Sequence, residues 1–220
     1  MNKIHLLDNG LINKIAAGEV VERPASVVKE LMENSIDAGA TSITVEIAEG
    51  GTSVIKITDN GKGIPKDEIR TAFMRHATSK IDSFEDLENV LTLGFRGEAL
   101  SSIASVAQVE MLTRTENDSM GTRIVINGGV VDREEECAAN VGTVFYVKNI
   151  FFNTPARRKF LKKPATEGSY ISEIVNRIAL GHPNIAIKYI NNGNIVLQTN
   201  GDGNVKNSLF YIYGKDIASK

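Results

Sequence analysis

Along the stretch Lys29 to Gly39, KELMENSIDAG, three polar side chains recur at spacings that a helix would bring together. At roughly 100° per residue, Glu30, Asn34 and Asp37 fall within about 60° of one another. Val28, Leu31, Met32 and Ser35 occupy the opposite side, which would pack on a core. A carboxylate one helical turn from a carboxamide can supply a general base beside a hard oxygen ligand for a divalent ion. Taken alone, the row reads more simply as a solvated helix face.

Three further stretches carry chemistry-bearing types. Asp59-x-Gly61-x-Gly63 follows a strand pattern, and an ionised Asp there is a pure acceptor suited to the exocyclic amino group of adenine. The competing reading is a turn capped by the Asp side chain. Gly94-Phe95-Arg96-Gly97-Glu98-Ala99-Leu100 precedes a helix pattern, so its amides could cradle an anion; a plain glycine-bearing entry turn competes. It lacks the GxxxxGK[ST] spacing of a P-loop. Arg157, Arg158, Lys159, Lys162 and Lys163 form a basic cluster able to meet phosphate, or to stand solvated. Thr143 opens a strand and in isolation signals only β-propensity. Together the first stretches offer a base, a metal ligand, a purine acceptor and a phosphate site.

The elements that must position these residues follow from periodicity. A helix is expected over 25–36, opened by Pro24 and stopped at Gly39. Strands over 43–47 and 54–58 form a hairpin, and a helix runs from Lys66 to about Arg75. Residues 76–97 are polar and glycine-flanked, as a lid would be. A helix starts near Leu100, then four strands cover 108–114, 121–127, 130–135 and 142–148, with Asn127-Gly128-Gly129 as a hairpin turn. Residues 149–164 read as a basic loop and turn and 166–180 as an amphipathic helix, followed by strands 185–190 and 195–199. The final segment begins a helix without an obvious partner. This order gives an α+β fold with one sheet covered on one face by helices. A domain is expected over 1–200, with 201–220 a linker and the start of a second.

Bulk properties limit the function classes. The 220 residues are 42% hydrophobic and 24% charged, an ordinary globular balance. The net charge of −2 leaves nucleic-acid contact to a local patch. No run of 18 apolar residues suggests a membrane span. One cysteine, Cys137, excludes an internal disulfide and suits a reducing compartment. Three scattered histidines give no zinc-type spacing.

The sequence closely resembles the N-terminal ATPase domain of the MutL-type DNA mismatch-repair family, within the GHKL ATPase group. The resemblance rests on IAAGEVVERPASVVKELMENSIDAGA (15–40), DNGKGI (59–64), RHATSKI (75–81), GFRGEALSSIASV (94–106) and NTPARRKFL (153–161). It implies a two-layer α/β sandwich with a mixed, mostly antiparallel sheet. It implies that Glu30 activates water, that Asn34 ligates Mg²⁺ on the triphosphate, and that Asp59 binds the adenine amino group with Thr143 assisting. Gly61 and Gly63 would shape the loop under the base and Asp37 would flank it. Thr78, Ser79 and Lys80 would belong to a lid, and Arg96, Gly97, Glu98, Ala99 and Leu100 would wrap the phosphates. ATP, Mg²⁺, DNA, a MutS-type mismatch-recognition partner, ATP-driven homodimerisation through the N-terminal arm, and a cytoplasmic site (nuclear in a eukaryote) are the further implications. So is a following domain that supplies a phosphate-contacting lysine, leaving this chain weak in turnover. Two other readings, a histidine-directed kinase and a DNA-binding scaffold with a relic pocket, lack a phosphoacceptor helix and sit badly with an intact Glu30/Asn34/Asp59 set, respectively.

Overall fold

A computed structural model describes residues 17–18, 20–77 and 97–214. Helix α1 spans Pro24–Asp37, strand β1 Ser42–Ala48, a 3₁₀ turn Glu49–Gly51 and β2 Val54–Asp59. A four-residue helix α2, Ile69–Ala72, precedes α3, Ala99–Val106. Then come β3 (Gln108–Arg114), β4 (Gly121–Asn127), β5 (Val130–Cys137) and β6 (Gly142–Lys148). Helices α4 (Pro155–Phe160) and α5 (Pro164–Gly181), strands β7 (Ala186–Asn191) and β8 (Asn194–Gln198), and helix α6 (Val205–Tyr213) complete the described chain.

The strands form one eight-stranded sheet in the order β5-β4-β3-β6-β2-β1-β7-β8. Only the β1–β7 pair is parallel; the others are antiparallel. Period-two alternation explains both faces. Ile43, Val45, Ile55, Ile57, Met111, Ile124, Val147 and Ile187 are buried on one side. There they meet Val27, Val28, Leu31 and Met32 of α1 and Ile171, Val175 and Ala179 of α5. Each such side chain contributes about 1.5–3 kcal/mol by leaving water. The other face is polar. Lys56–Glu46, Lys148–Glu110 and Arg123–Glu110 ion pairs lace it at 2.6, 3.1 and 2.8 Å. The fold is thus the expected two-layer arrangement, helices packed on one face of a mixed, mostly antiparallel sheet.

Three local expectations need correction. The helix expected over Lys66–Arg75 is only Ile69–Ala72, because Ile69 is its one buried anchor and His76 has a φ of 61°. A helix without an apolar stripe gains too little from packing to extend. Residues 149–164 are not merely a loop: Pro155, already set for a first turn, starts α4. The last helix does have partners. Asn204 caps it by accepting from Lys206 N–H, Ser208 is buried, and Asn200 donates to the Tyr211 hydroxyl at 2.7 Å. Of the N-terminal arm expected over 1–23, residues 1–16 and 19, and of the lid expected over 76–97, residues 78–96, lie outside the described residues.

Candidate functional site

Helix α1 turns one face to the core and the next to a cleft of about 2010 Å³, ample for a nucleotide. Its entry is fixed by Pro24 and by Arg23, whose guanidinium lies 4.5 Å over the Tyr170 ring. Its exit is closed by Ala38 N–H donating to Asn34 O. Glu30, Asn34 and Asp37 all line the cleft, as their spacing requires. The Glu30 side chain is 23% exposed, reachable by water yet held by Lys29, whose Nζ lies 3.4 Å from Oε1. Lys29 also meets Glu33 at 3.0 Å. Burial works to lower the Lys29 ammonium, but Glu33 and Glu30 outweigh it and hold it above its usual range.

Opposite α1, Asp59 ends β2 at the cleft floor and is 8% exposed. Its Oδ1 accepts from Gly61 N–H and its Oδ2 from the Ser35 hydroxyl, both at 2.9 Å. Burial pushes this carboxyl above the usual carboxylate range, and the bonds from Gly61, Ser35 and Thr143 pull partly back. Asp59 caps the turn, as the plain turn reading expects, and the same carboxylate lines the cleft. With bonds from Gly61, Ser35 and Thr143 made, a lone pair remains that can accept from a ligand.

The loop after Asp59 is stitched on every side. Lys62 N–H donates to Ala38 O at 3.0 Å and Ile64 N–H to Thr113 Oγ1 at 2.9 Å. Asn60 Oδ1 accepts from the Thr41 and Ser42 amides at 2.9 and 2.8 Å. Gly63 has a φ of 72°, and a Cβ there would stand 2.2 Å from Arg114 O. Gly142, with a φ of 116°, would drive a Cβ to 2.2 Å from Asp59 O. Both positions exclude other residues by conformation and by contact. Register then aligns Asp59 with Thr143 across β2–β6, and Thr143 with Thr113 across β6–β3. A polar row thus closes a sheet face that is otherwise apolar.

At the other end of the cleft, Gly97, Glu98, Ala99 and Leu100 lead into α3. Amides at a helix start have no intrahelical acceptor and can meet an anion. The Glu98 carboxylate is engaged by Arg75 and by His76 Nδ1, each at 3.3 Å. Gly97 packs on Ala77, where a Cβ would lie 2.7 Å from the carbonyl oxygen. Thr78, Ser79, Lys80 and Arg96 fall outside the described residues.

The basic cluster stands apart from the cleft. Arg158, Lys159, Lys162 and Lys163 are exposed on and after α4. Arg157 is half-buried and lies against Gly18, whose position leaves no room for a Cβ beside the guanidinium. Cys137 is a half-buried thiol that burial pushes upward, away from reactivity. Among the described residues no group of three His, Cys, Asp or Glu could hold a metal alone. A divalent ion here would draw most of its ligands from phosphate and water, which suits Mg²⁺ on a single Asn34 oxygen.

Sequence reasoning missed Ser35 and Thr113. Periodicity puts Ser35 on the core side, and its hydroxyl does lie 3.0 Å from Leu31 O, but its one proton is shared with Asp59 Oδ2 at 2.9 Å. The available signal was a hydroxyl on an otherwise apolar helix side. Thr113 continues the inward alternation of Val109 and Met111, and a polar residue in that register was its signal.

The family model of histidine kinase-, DNA gyrase B- and HSP90-like ATPases matches residues 22–141. The DNA mismatch repair protein MutL of Agathobacter rectalis is 58% identical over 219 residues, 100% of this chain and 34% of that protein. The MutL of Caldanaerobacter subterraneus subsp. tengcongensis is 54% identical over 219 residues, 100% of this chain and 37% of that protein. This chain thus spans about a third of these relatives' length. The Aquifex aeolicus MutL ATPase domain complexed with ADP superposes with a TM-score of 0.73 at 31% identity, over 88% of this chain and 70% of that one.

Proposed function

Because the chain belongs to the histidine kinase-, DNA gyrase B- and HSP90-like ATPase family, we propose that it binds ATP with Mg²⁺ and hydrolyses it as the N-terminal domain of a MutL-type mismatch-repair protein. The observation that carries this reading is the facing pair: Glu30 and Asn34 on one wall, and buried Asp59 on the floor of the same cleft. Asp59, ionised, accepts the adenine amino group beside Ser35 and Gly61. Thr143 assists, Gly61 and Gly63 bring backbone close under the base, and Asp37 flanks it. The amides of Gly97, Glu98, Ala99 and Leu100 face the phosphates, while the Glu98 side chain braces 75–76. Thr78, Ser79, Lys80 and Arg96 complete the lid and cradle.

Asn34 would hold Mg²⁺, which when bound would neutralise charge on the phosphate oxygens. Glu30, one turn earlier, takes the proton of the attacking water, and Lys29 fixes the orientation of its carboxylate. Hydrolysis needs positioning more than covalent help, which a rigid helix supplies.

The boundary of this unit is put near residue 200, with 201–220 leading into a second; the greater length of the relatives supports that. A phosphate-contacting lysine from that second domain would leave this chain slow in turnover. Homodimerisation on ATP binding, a MutS-type partner, and DNA contact through Arg157, Arg158, Lys159, Lys162 and Lys163 belong to the same reading. So does a cytoplasmic site, supported by the likeness to MutL proteins of bacteria.

The decisive experiment is calorimetric titration of ATP into the wild-type chain and Asp59→Asn. Losing an acceptor for a donated amino proton should weaken binding by about 10- to 100-fold. Equal affinities would remove adenine from the site.

A further inference from the structure

Thr113 does not line the cleft, is 1% exposed, and sits behind Thr143 in the polar row. Its hydroxyl oxygen has three polar neighbours. Ile64 N–H donates to it at 2.9 Å. The Gly142 carbonyl and the Thr143 hydroxyl both stand at 3.1 Å. One proton and two lone pairs must serve all three. If Thr113 donates to Gly142 O, Thr143 donates back to Thr113 and shows the cleft only lone pairs. If Thr113 donates to Thr143, the Thr143 proton is released to donate into the cleft. The equal distances leave both arrangements open, so a ligand atom selects between them.

We infer that Thr113 is a positioning residue of the base site: it sets the direction of the Thr143 hydroxyl and pins the Ile64 end of the glycine loop. This rests on the adenine-nucleotide reading above. Beside its amino group adenine carries a ring nitrogen that accepts. That acceptor, directly or through one water, draws the Thr143 proton, and Thr113 supplies its own in exchange. The two threonines act as a relay of donor character, while Asp59 remains acceptor-only. Valine matches threonine in shape but neither accepts from Ile64 nor donates to Thr143.

The test is a double-mutant cycle on the 220-residue chain, read by titration with ATP and separately with ADP, with thermal unfolding alongside. Thr113→Val, Thr113→Ser, Thr143→Val and the Thr113→Val/Thr143→Val pair are compared. Thr113→Ala is carried as well, should the valine variant not fold. Thr113→Val is expected to bind both nucleotides about tenfold more weakly. Thr113→Ser keeps the hydroxyl and should stay within about twofold of wild type, and the pair should be within about threefold of Thr143→Val alone. Three outcomes would overturn the inference: unchanged binding by Thr113→Val, a serine variant as weak as the valine, or losses that multiply in the pair. A loss confined to ATP would do the same, since the base is common to both ligands. Absence of binding by the wild-type chain would instead bring down the nucleotide reading, and this inference with it.

Discussion

The two ends of the cleft are built on different terms. At the 59–64 end, carboxylate, hydroxyls and amides are buried or part-buried and bonded to one another at 2.9–3.1 Å across three adjacent strands and α1. At the 97–100 end, Ser101 and Ser102 hold the Glu98 carbonyl at 3.0 and 2.9 Å, but the Glu98 side chain makes only partly exposed contacts, to Arg75 and His76, at 3.3 Å. Buried, fully bonded groups have little freedom left to lose on binding, whereas exposed pairs are weakened by solvent. The first end is therefore pre-organised before any ligand arrives. The second is held less by burial.

Four perturbations break or sharpen that contrast. The largest should come from Glu30→Ala, which touches neither end: turnover should fall by about 10²- to 10⁴-fold while ATP binding is kept. Single-turnover kinetics beside a binding titration would check it, and lost binding would show that Glu30 is not the base. Next is Gly142→Ala at the rigid end. A Cβ 2.2 Å from Asp59 O, on a backbone that L-residues avoid, should cost about 3 kcal/mol in urea unfolding. A change below about 0.5 kcal/mol would mean that this end can yield.

Third is pH. Asp59 is raised by burial, so the folded chain binds more protons than the unfolded one between that raised value and the ordinary 3.8. The unliganded fold thus gains stability as pH falls through this interval. ATP affinity should do the opposite, declining before an exposed aspartate would titrate, because protonation removes the acceptor. A binding-versus-pH profile identical for wild type and Asp59→Asn would contradict this. The smallest effect belongs to the less buried end. Glu98→Gln should change ATP affinity by less than about fivefold and ADP affinity hardly at all, as expected of a partly exposed pair. A loss as large as that of Asp59→Asn would erase the distinction between the two ends.

Much of this was legible in the sequence. The strands follow their alternation to within a residue or two, and Glu30, Asn34 and Asp37 share a face because 3.6 residues per turn puts them there. Residues around 66–75 misled because helix-compatible types were present without the burial that sustains a helix. Thr113 stayed invisible for another reason. It joins Asp59 and Thr143 only through the neighbour order β3-β6-β2, which departs from chain order. Periodicity gives the facing of each strand and says nothing of which strands are neighbours. Ser35 shows the same limit on a helix, since the border between core side and cleft side is set by what packs there.

The parallel pairing of β1 with β7 has a consequence for how the chain is made. Residues 42–47 meet 186–191, and α1 packs against α5, which lies just before β7. During synthesis α1 and both glycine-bearing stretches emerge long before the strand and helix that brace α1 and β1. At about 5–20 residues per second, β1 presents an unpaired edge on the ribosome for on the order of ten seconds. Nucleotide-binding competence should then arrive abruptly, once β7 has left the exit tunnel and closed the sheet.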